Sequence, residues 1–79
     1  MKENIFQTRD LPEAALLYLH NLKLLRLARE NNCVWFVFDD KTRAADLCNK
    51  FWQKDIKVDA KSYAEAIRFL KDRIFSSRD

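Results

Sequence analysis

The hydrophobic pattern is strongest in the middle of the chain. Residues 33–38 read Cys-Val-Trp-Phe-Val-Phe and are apolar at every position. A short run without polar positions predicts a β-strand that is central in a sheet and covered on both faces by other elements. Residues 23–30 alternate in part, with Leu25 and Leu27 expected on one face, so we predict a second strand there.

Turn signals next to these strands complete the predicted sheet. Asn31-Asn32 separates the two apolar runs, and asparagine tolerates the left-handed backbone that a tight hairpin turn requires. The two strands are therefore predicted to form an antiparallel hairpin. Residues 5–8 are predicted to form a short edge strand ahead of them.

The first predicted helix runs from Leu11 to about His20. Asp10 precedes it as N-cap, Pro12 lies in its first turn, and Glu13 stands where a capping box needs an acidic residue. Asn21 is expected to end it in the left-handed position that glycine usually takes.

Two further helices are predicted by apolar residues at three- and four-residue spacing. Asp39-Asp40 stops the central strand and offers an N-cap for a helix from Lys41 to about Lys54. Residues 55–58 form a connector, and Asp59 caps a helix from Ala60 to about Phe75. The apolar faces consist of Ala44, Leu47, Cys48 and Phe51, widened by Trp52, in the second helix and of Tyr63, Ile67, Leu70 and Ile74 in the third.

These elements predict an α+β domain in the order (β)αββαα. A small antiparallel sheet of two or three strands is packed by three helices. Residues 1–79 are expected to form a single domain with an ordered core of about residues 5–75, while residues 76–79 fray.

Composition narrows the class of protein. The chain is 48% hydrophobic and 13% aromatic, too apolar for a disordered segment. It contains no glycine, so a glycine-rich phosphate loop is excluded. Neither a signal peptide nor a membrane span is visible. Two cysteines without a secretion signal indicate reduced thiols, and we expect a cytoplasmic protein.

Side chains with catalytic potential are better explained by structure. His20 is the only histidine and falls at a helix end, where the dipole favours a cation. Cys33 and Cys48, on predicted buried faces, cannot form a zinc site with one histidine unless carboxylates join them. One residue of Asp39-Asp40 is needed as a cap. We therefore expect no catalytic residue, cofactor site or metal site, and no enzyme.

Positive charge suggests contact with nucleic acid. The net charge is +3, and Lys50, Lys54 and Lys57 have only Asp55 among them. With Trp52 nearby, these lysines are candidates to hold a phosphate backbone while the indole stacks on a base. Interleaved acids make an ordinary solvated helix face the alternative interpretation.

Surplus aromatic side chains suggest a second kind of surface. The chain holds two Trp, two Tyr and six Phe, more than a core of this size is expected to hide. Phe69 points off the apolar face of the third helix, and together with Arg68 and Arg73 it is a candidate protein-interaction or homodimer surface.

Dispersed positions resemble a family of small bacterial, phage and mobile-element proteins known as a domain of unknown function. The resemblance covers about residues 6–75. It rests on the following patterns: Thr8-x-Asp10-Leu11, Ala14-Ala15-x-Leu17, Val34-x-Phe36-Val37-Phe38-Asp39, Phe51-Trp52, Val58-Asp59-Ala60, Tyr63-x-x-Ala66 and Leu70-Lys71. Asn21 stands where the family has glycine. The resemblance implies a stand-alone domain on a mobile element and brings no catalytic residues.

The function expected from the sequence is a small non-catalytic binding module. An accessory protein of a phage or mobile element that contacts nucleic acid is the first hypothesis. A protein-interaction or homodimerisation module, including a small inhibitor of a host protein, is the alternative. No membrane partner or small-molecule substrate is expected.

Overall fold

The computed structural model describes residues 4–76, which form three strands and three helices. In chain order they are β1 (Ile5–Thr8), α1 (Leu11–Leu19), β2 (Leu24–Glu30), β3 (Cys33–Asp39), α2 (Lys41–Trp52) and α3 (Ala60–Ser76). The predicted α+β order, including the short first strand, is confirmed. Ser76 is the last residue of α3 rather than part of a tail, and the rest of the tail predicted to fray lies outside the described residues.

The sheet is antiparallel with strand order β1-β3-β2, so β3 is central as predicted. Glu30 pairs with Cys33 across the turn. Asn31 and Asn32 have φ angles of 50° and 67°. Positive φ at both central residues is typical of the type I′ turn, whose twist matches that of the flanking strands. The two asparagines thus provide the hairpin that the sequence predicted.

The three helices lie on one side of the sheet, α1 and α2 against the strands and α3 packed on α1. Phe36 and Phe38 of β3 belong to the same hydrophobic cluster as buried residues of α1, α2 and α3, whereas Val37, which points to the opposite face, does not. The prediction that other elements cover both faces of the central strand is therefore wrong. Trp35 and Cys33 on the opposite face are only half-buried.

Side chains of the neighbouring strands explain how Val37 is buried on the face that no helix covers. Val37 is 0% exposed and is flanked across the sheet by Gln7 of β1 and Arg26 of β2. Long polar side chains on adjacent strands shield a central residue with their aliphatic stems. Burial of Val37 thus needs no helix.

A bulge changes the alternation along β2. Leu24 pairs with Phe38, and Arg26 pairs with the next β3 residue, Val37, so Leu25 is an extra residue in the strand. As a result Leu24 and Leu27 pack against the core, while Leu25 is 40% exposed. The prediction that Leu25 and Leu27 share a face is wrong because a bulge shifts the period of two by one residue.

The N-terminus of α1 is capped in a different way from the predicted capping box. Asp10 Oδ1 accepts the Glu13 N–H at 2.9 Å, which is the expected half. The backbone N–H of Asp10 donates to Thr8 Oγ1 at 3.1 Å instead of to Glu13. The Glu13 carboxylate is used elsewhere: it accepts the Thr8 hydroxyl at 2.8 Å.

Helices α1 and α2 end in the same motif. After α1, Asn21 has φ 68°, and the Leu22 N–H reaches Leu17 O at 3.1 Å. These are features of a Schellman C-terminus, so the predicted role of Asn21 is confirmed. After α2, Lys54 takes the equivalent position with φ 63°.

The end of α2 falls two residues before the predicted one. Gln53 is the C-cap, and the Asp55 N–H donates to Lys50 O at 2.9 Å. Sequence propensity gave no stop signal here, because lysine is an uncommon residue in the left-handed conformation. At the start of α2, Asp40 Oδ1 accepts the Arg43 N–H, which confirms the predicted cap.

The core lies between the sheet and the helix layer. Its buried hydrophobic residues are Ala14, Ala15, Leu16, Leu17, Leu22, Phe36, Phe38, Ala44, Leu47, Cys48, Ala66 and Leu70. Small alanines of α1 allow the other two helices to approach it closely. Among the helices formed by residues 4–76, none has the length and apolar character needed to cross a lipid bilayer.

Candidate functional site

The face of the sheet opposite the helices is the first candidate surface. We call it the open sheet face, and it consists of Ile5, Gln7, Arg26, Ala28, Glu30, Cys33, Trp35, Val37 and Asp39. Its centre is Trp35, which lies on the middle strand and pairs with the small residue Ala28 of β2. A small neighbour leaves one side of the indole uncovered, which is consistent with the partial exposure of Trp35.

Arg9 lies above this tryptophan. Its guanidinium carbon is 5.7 Å from the centroid of the Trp35 ring, within the range of a cation–π interaction. Its Nη1 also donates to Cys33 Sγ at 3.2 Å. Arg9 follows β1 directly and is itself exposed, so two contacts hold a positive charge against an aromatic ring at the protein surface.

The charges around Trp35 are mostly positive. Arg9 and Arg26 are both exposed. Arg26 pairs with Val37, which lies two positions after Trp35 on the same face of β3. Glu30 at the turn end and Asp39 at the other end of β3 are the acidic residues of the same face. This arrangement can attract phosphate by charge and offers an aromatic or guanidinium plane on which a base can stack.

The three lysines predicted to bind phosphate lie around the end of α2. Lys50 is on α2 and forms an ion pair with Asp46 at 3.4 Å, both side chains being more than half exposed. Lys54 follows the helix, and Lys57 lies on the connector beside a cavity that also contains His20. No described contact joins any two of these lysines, and Lys50 already has an acidic partner.

Trp52, the aromatic residue predicted to accompany them, is 61% exposed. Its indole N–H donates to Glu13 Oε2 at 2.6 Å, and its ring meets Phe51 edge-on at 5.3 Å. A carboxylate beside the indole repels phosphate. Trp52 therefore combines an accessible ring with an unfavourable local charge for a nucleic-acid contact.

The predicted interaction surface on α3 contains a stacked aromatic pair. Phe69 is 38% exposed and stacks on Tyr18 of α1, with centroids 4.7 Å apart and planes inclined by 15°. The pair borders a groove of about 690 Å³ between α1 and α3. Arg68 and Arg73 are exposed on the same helix, and Arg73 lies one turn beyond Phe69.

His20 lies beside an arrangement that superficially resembles a catalytic relay. His20, Asp59 and Ser62 line one cavity of about 240 Å³. The Ser62 hydroxyl donates to Asp59 at 2.9 Å, and the Asp59 carboxylate also accepts the Ser62 N–H as an N-cap. His20 Nε2 is buried and has no hydrogen-bond partner among residues 4–76. The serine and the aspartate are thus engaged in capping α3, and no relay through histidine is formed.

In the described part of the chain, neither cysteine belongs to a cluster of metal ligands. Cys48 is buried as predicted, but Cys33 is half-buried on the open sheet face. Burial raises the pKa of the Cys48 thiol to about 11, and the nearby carboxylates of Glu13 and Asp10 add to this effect. Within residues 4–76, no group of three His, Cys, Asp or Glu side chains is placed to hold a metal ion.

Sequence reasoning missed the contact between Arg9 and Trp35. The apolar run 33–38 predicts that Trp35 lies in a strand buried on both faces, and no sequence pattern marks Arg9. The sequence does contain a signal that this face is open. Once the strand pairing is known, the polar residues Gln7, Arg26 and Glu30 of the flanking strands all fall on the same face as Trp35. The pairing itself depends on the bulge at Leu25, which the sequence did not predict.

Comparison with protein families gives a match over nearly the whole chain. A family model described as "Domain of unknown function (DUF5659)" matches residues 3–76. No curated protein and no solved structure matches the chain.

Proposed function

This chain belongs to the DUF5659 family, and we propose that it is a small non-catalytic module that binds single-stranded nucleic acid through the open sheet face. The observation that carries the proposal is the position of the Arg9 guanidinium over the Trp35 ring, 5.7 Å from its centroid. In a phage or mobile element, the setting that the family resemblance implies, such a module would be a cytoplasmic accessory protein.

Geometry favours a single strand over a duplex. Sheet surfaces bind nucleic acid by stacking unpaired bases on aromatic side chains of central strands while basic residues contact the backbone. Trp35 lies on the central strand, and Arg9 and Arg26 lie on either side of it. A base inside a duplex has both faces stacked on its neighbours, so it cannot use this platform without being unstacked.

Charge supports the same choice of ligand. The chain carries 15 basic and 12 acidic residues, and the exposed Arg9 and Arg26 contribute to that excess. Arginine suits this role because its planar group both stacks on aromatic rings and donates to phosphate in a bidentate manner.

The test is binding of fluorescently labelled single-stranded DNA, single-stranded RNA and duplex DNA of the same sequence, measured by anisotropy over a range of salt concentrations. We expect single strands to bind more tightly than the duplex, with an affinity that falls as salt rises. Arg9→Ala should reduce the salt slope by about 0.7, the value for one lost phosphate contact on a single strand. Trp35→Leu should weaken binding by about fivefold or more, because one stacked base is lost.

Two controls make the result specific. The triple variant Lys50→Ala, Lys54→Ala, Lys57→Ala removes the other candidate surface and should leave most of the affinity. Circular dichroism must show that Trp35→Leu is folded. Absence of binding at low salt, or loss of binding in the triple lysine variant but not in Arg9→Ala, would refute the proposal.

A further inference from the structure

Tyr18 of α1 and Phe69 of α3 form an exposed aromatic patch. Their rings are stacked with centroids 4.7 Å apart, although Tyr18 is 36% and Phe69 is 38% exposed. Because α3 packs on α1, the stack joins two elements and holds both rings in place. A rigid surface loses little conformational entropy when a partner covers it, and aromatic side chains are enriched in protein interfaces. The patch therefore has the properties of a docking surface.

Charged residues are arranged in opposite senses on either side of Phe69. Glu65 lies one helical turn before it and Arg73 one turn after it, and both are exposed. Within residues 4–76, neither of these two side chains has an ion-pair partner. Arg68 is turned by about 100° from this stripe, since consecutive residues of a helix differ by that angle. The stripe thus has an acidic end, an aromatic centre and a basic end.

Such a stripe is complementary to itself. When two identical helices pack antiparallel around a two-fold axis, the residue four positions before the axis lies opposite the residue four positions after it. With Phe69 on the axis, Glu65 of each copy faces Arg73 of the other. A partner of different sequence has to carry the same pattern in reverse, whereas a second copy supplies it by symmetry.

We propose that the chain forms a homodimer in which α3 packs antiparallel on α3 of a second copy, with Phe69 at the two-fold axis. The two Tyr18–Phe69 stacks meet at the centre of the interface, and two Glu65–Arg73 ion pairs flank them. The C-terminal half of α3 of the second copy covers the groove of about 690 Å³ between α1 and α3.

Small side chains at the ends of the stripe allow the two helices to approach each other. Ser62 and Ser76 lie seven positions before and after Phe69, about two helical turns away, so they fall on the same side of α3. Around an axis at Phe69 they stand opposite each other. Since the distance between packed helices depends on the side chains at the contact, serine at both positions permits a close crossing.

The proposed interface is separate from the open sheet face. Tyr18 and Phe69 belong to helices that lie on one side of the sheet, and Trp35 lies on the other side. The dimer therefore leaves the open sheet faces of both copies uncovered. The inference does not depend on nucleic-acid binding, and a failure of either proposal leaves the other standing.

The test is a charge swap read by native mass spectrometry and by sedimentation over a range of protein concentrations. Wild type should form a species of twice the chain mass of 9.5 kDa. Glu65→Arg and Arg73→Glu should each raise the dimer dissociation constant by about tenfold or more, because both symmetric pairs become like-charged. The double variant Glu65→Arg, Arg73→Glu should restore dimerisation. Lys71→Glu makes the same change of charge as Arg73→Glu on another side of α3, about 200° from Phe69, and should leave the dissociation constant unchanged.

Mixing the two single variants tests the antiparallel arrangement. Glu65→Arg leaves two basic residues at these positions and Arg73→Glu leaves two acidic ones, so a heterodimer should form while each variant alone stays monomeric. Phe69→Ala should weaken the wild-type dimer, and circular dichroism checks that this variant is folded. A wild type that keeps the mass of one chain at every concentration, single variants that dimerise as wild type does, or a mixture without heterodimer would overturn the inference.

Discussion

Trp52 donates its indole N–H to Glu13 Oε2 at 2.6 Å, although 39 positions separate the two residues in the chain. The other oxygen of Glu13 accepts the hydroxyl of Thr8, which is itself 5% exposed. One carboxylate therefore joins β1, α1 and α2. Such a hydrogen bond to a charged acceptor is stronger than a neutral one, and it holds Trp52 in place while most of its ring remains exposed.

The coupling between Trp52 and Glu13 can be measured by a double-mutant cycle. We expect Trp52→Phe to lower the free energy of unfolding by about 1 kcal/mol, since a hydrogen bond to a charged group is lost at a partly exposed site. Glu13→Ala should cost more, because Thr8 also loses its acceptor. Urea unfolding of both single variants and the double variant should give a coupling energy of about 1 kcal/mol. Additive effects would show that the two side chains do not interact in solution.

Lys54 offers a site where the wild-type sequence is not optimal. Its φ of 63° places a side chain with a β-carbon in the left-handed region, which costs about 1–2 kcal/mol. Lys54→Gly should raise the free energy of unfolding by about 0.5–1 kcal/mol after the greater flexibility of glycine in the unfolded chain is subtracted. Lys54→Ala keeps the strain and removes the charge, so its stability should stay close to wild type. Thermal unfolding of the two variants distinguishes strain from charge.

Most of the fold could be predicted because local signals and the global architecture agree. Asp10, Asp40 and Asn21 carry the cap chemistry that marks helix ends, and each does so in the structure. The hairpin between β2 and β3 was predicted by Asn31-Asn32, which form its turn. Two features were not predicted. The bulge at Leu25 depends on how β2 meets β3, and the end of α2 at Trp52 depends on a left-handed Lys54, a conformation that lysine rarely adopts.

Stability at alkaline pH should depend on Cys48. Its pKa is raised from 9.0 to about 11 in the folded chain, so between these values the unfolded thiol loses its proton while the folded thiol keeps it. The unfolded state is then favoured, and stability falls as pH rises through this window. Solvent screening reduces the effect, which is on the order of 1 kcal/mol. Cys48→Ala should abolish this part of the pH dependence, as measured by urea unfolding of both proteins. Parallel pH profiles would contradict the prediction.

Stability at acid pH should depend on Asp59. The backbone N–H and the hydroxyl of Ser62 hold the pKa of this carboxyl below its usual range. Its stabilising effect is present above the pKa of the unfolded carboxyl, 3.8, and is lost as pH falls through the lower folded pKa. Asp59→Asn keeps an oxygen that can cap α3 but does not titrate, so its unfolding midpoint should change less across this acid window. An equal change in both proteins would assign the acid sensitivity to other carboxyls.

The candidate site was less predictable than the fold. The sequence led to lysines around the end of α2, because they are close together in the chain. The structure instead brings together Arg9 and Trp35, which are 26 positions apart by their numbers. Their contact requires the pairing of β1 with β3 across α1 and β2, and no local pattern encodes it.

The strand order has a consequence for how the domain assembles. Joining β2 to β3 closes a loop of only Asn31 and Asn32, whereas joining β1 to β3 closes the whole segment 9–32. Closure entropy rises with loop length, so we expect the hairpin to form first and β1 to complete the sheet afterwards. Of the three strands, β1 is synthesised first but is then the last to join the sheet. It carries Thr8, and with it the acceptor for the Asp10 N–H at the start of α1.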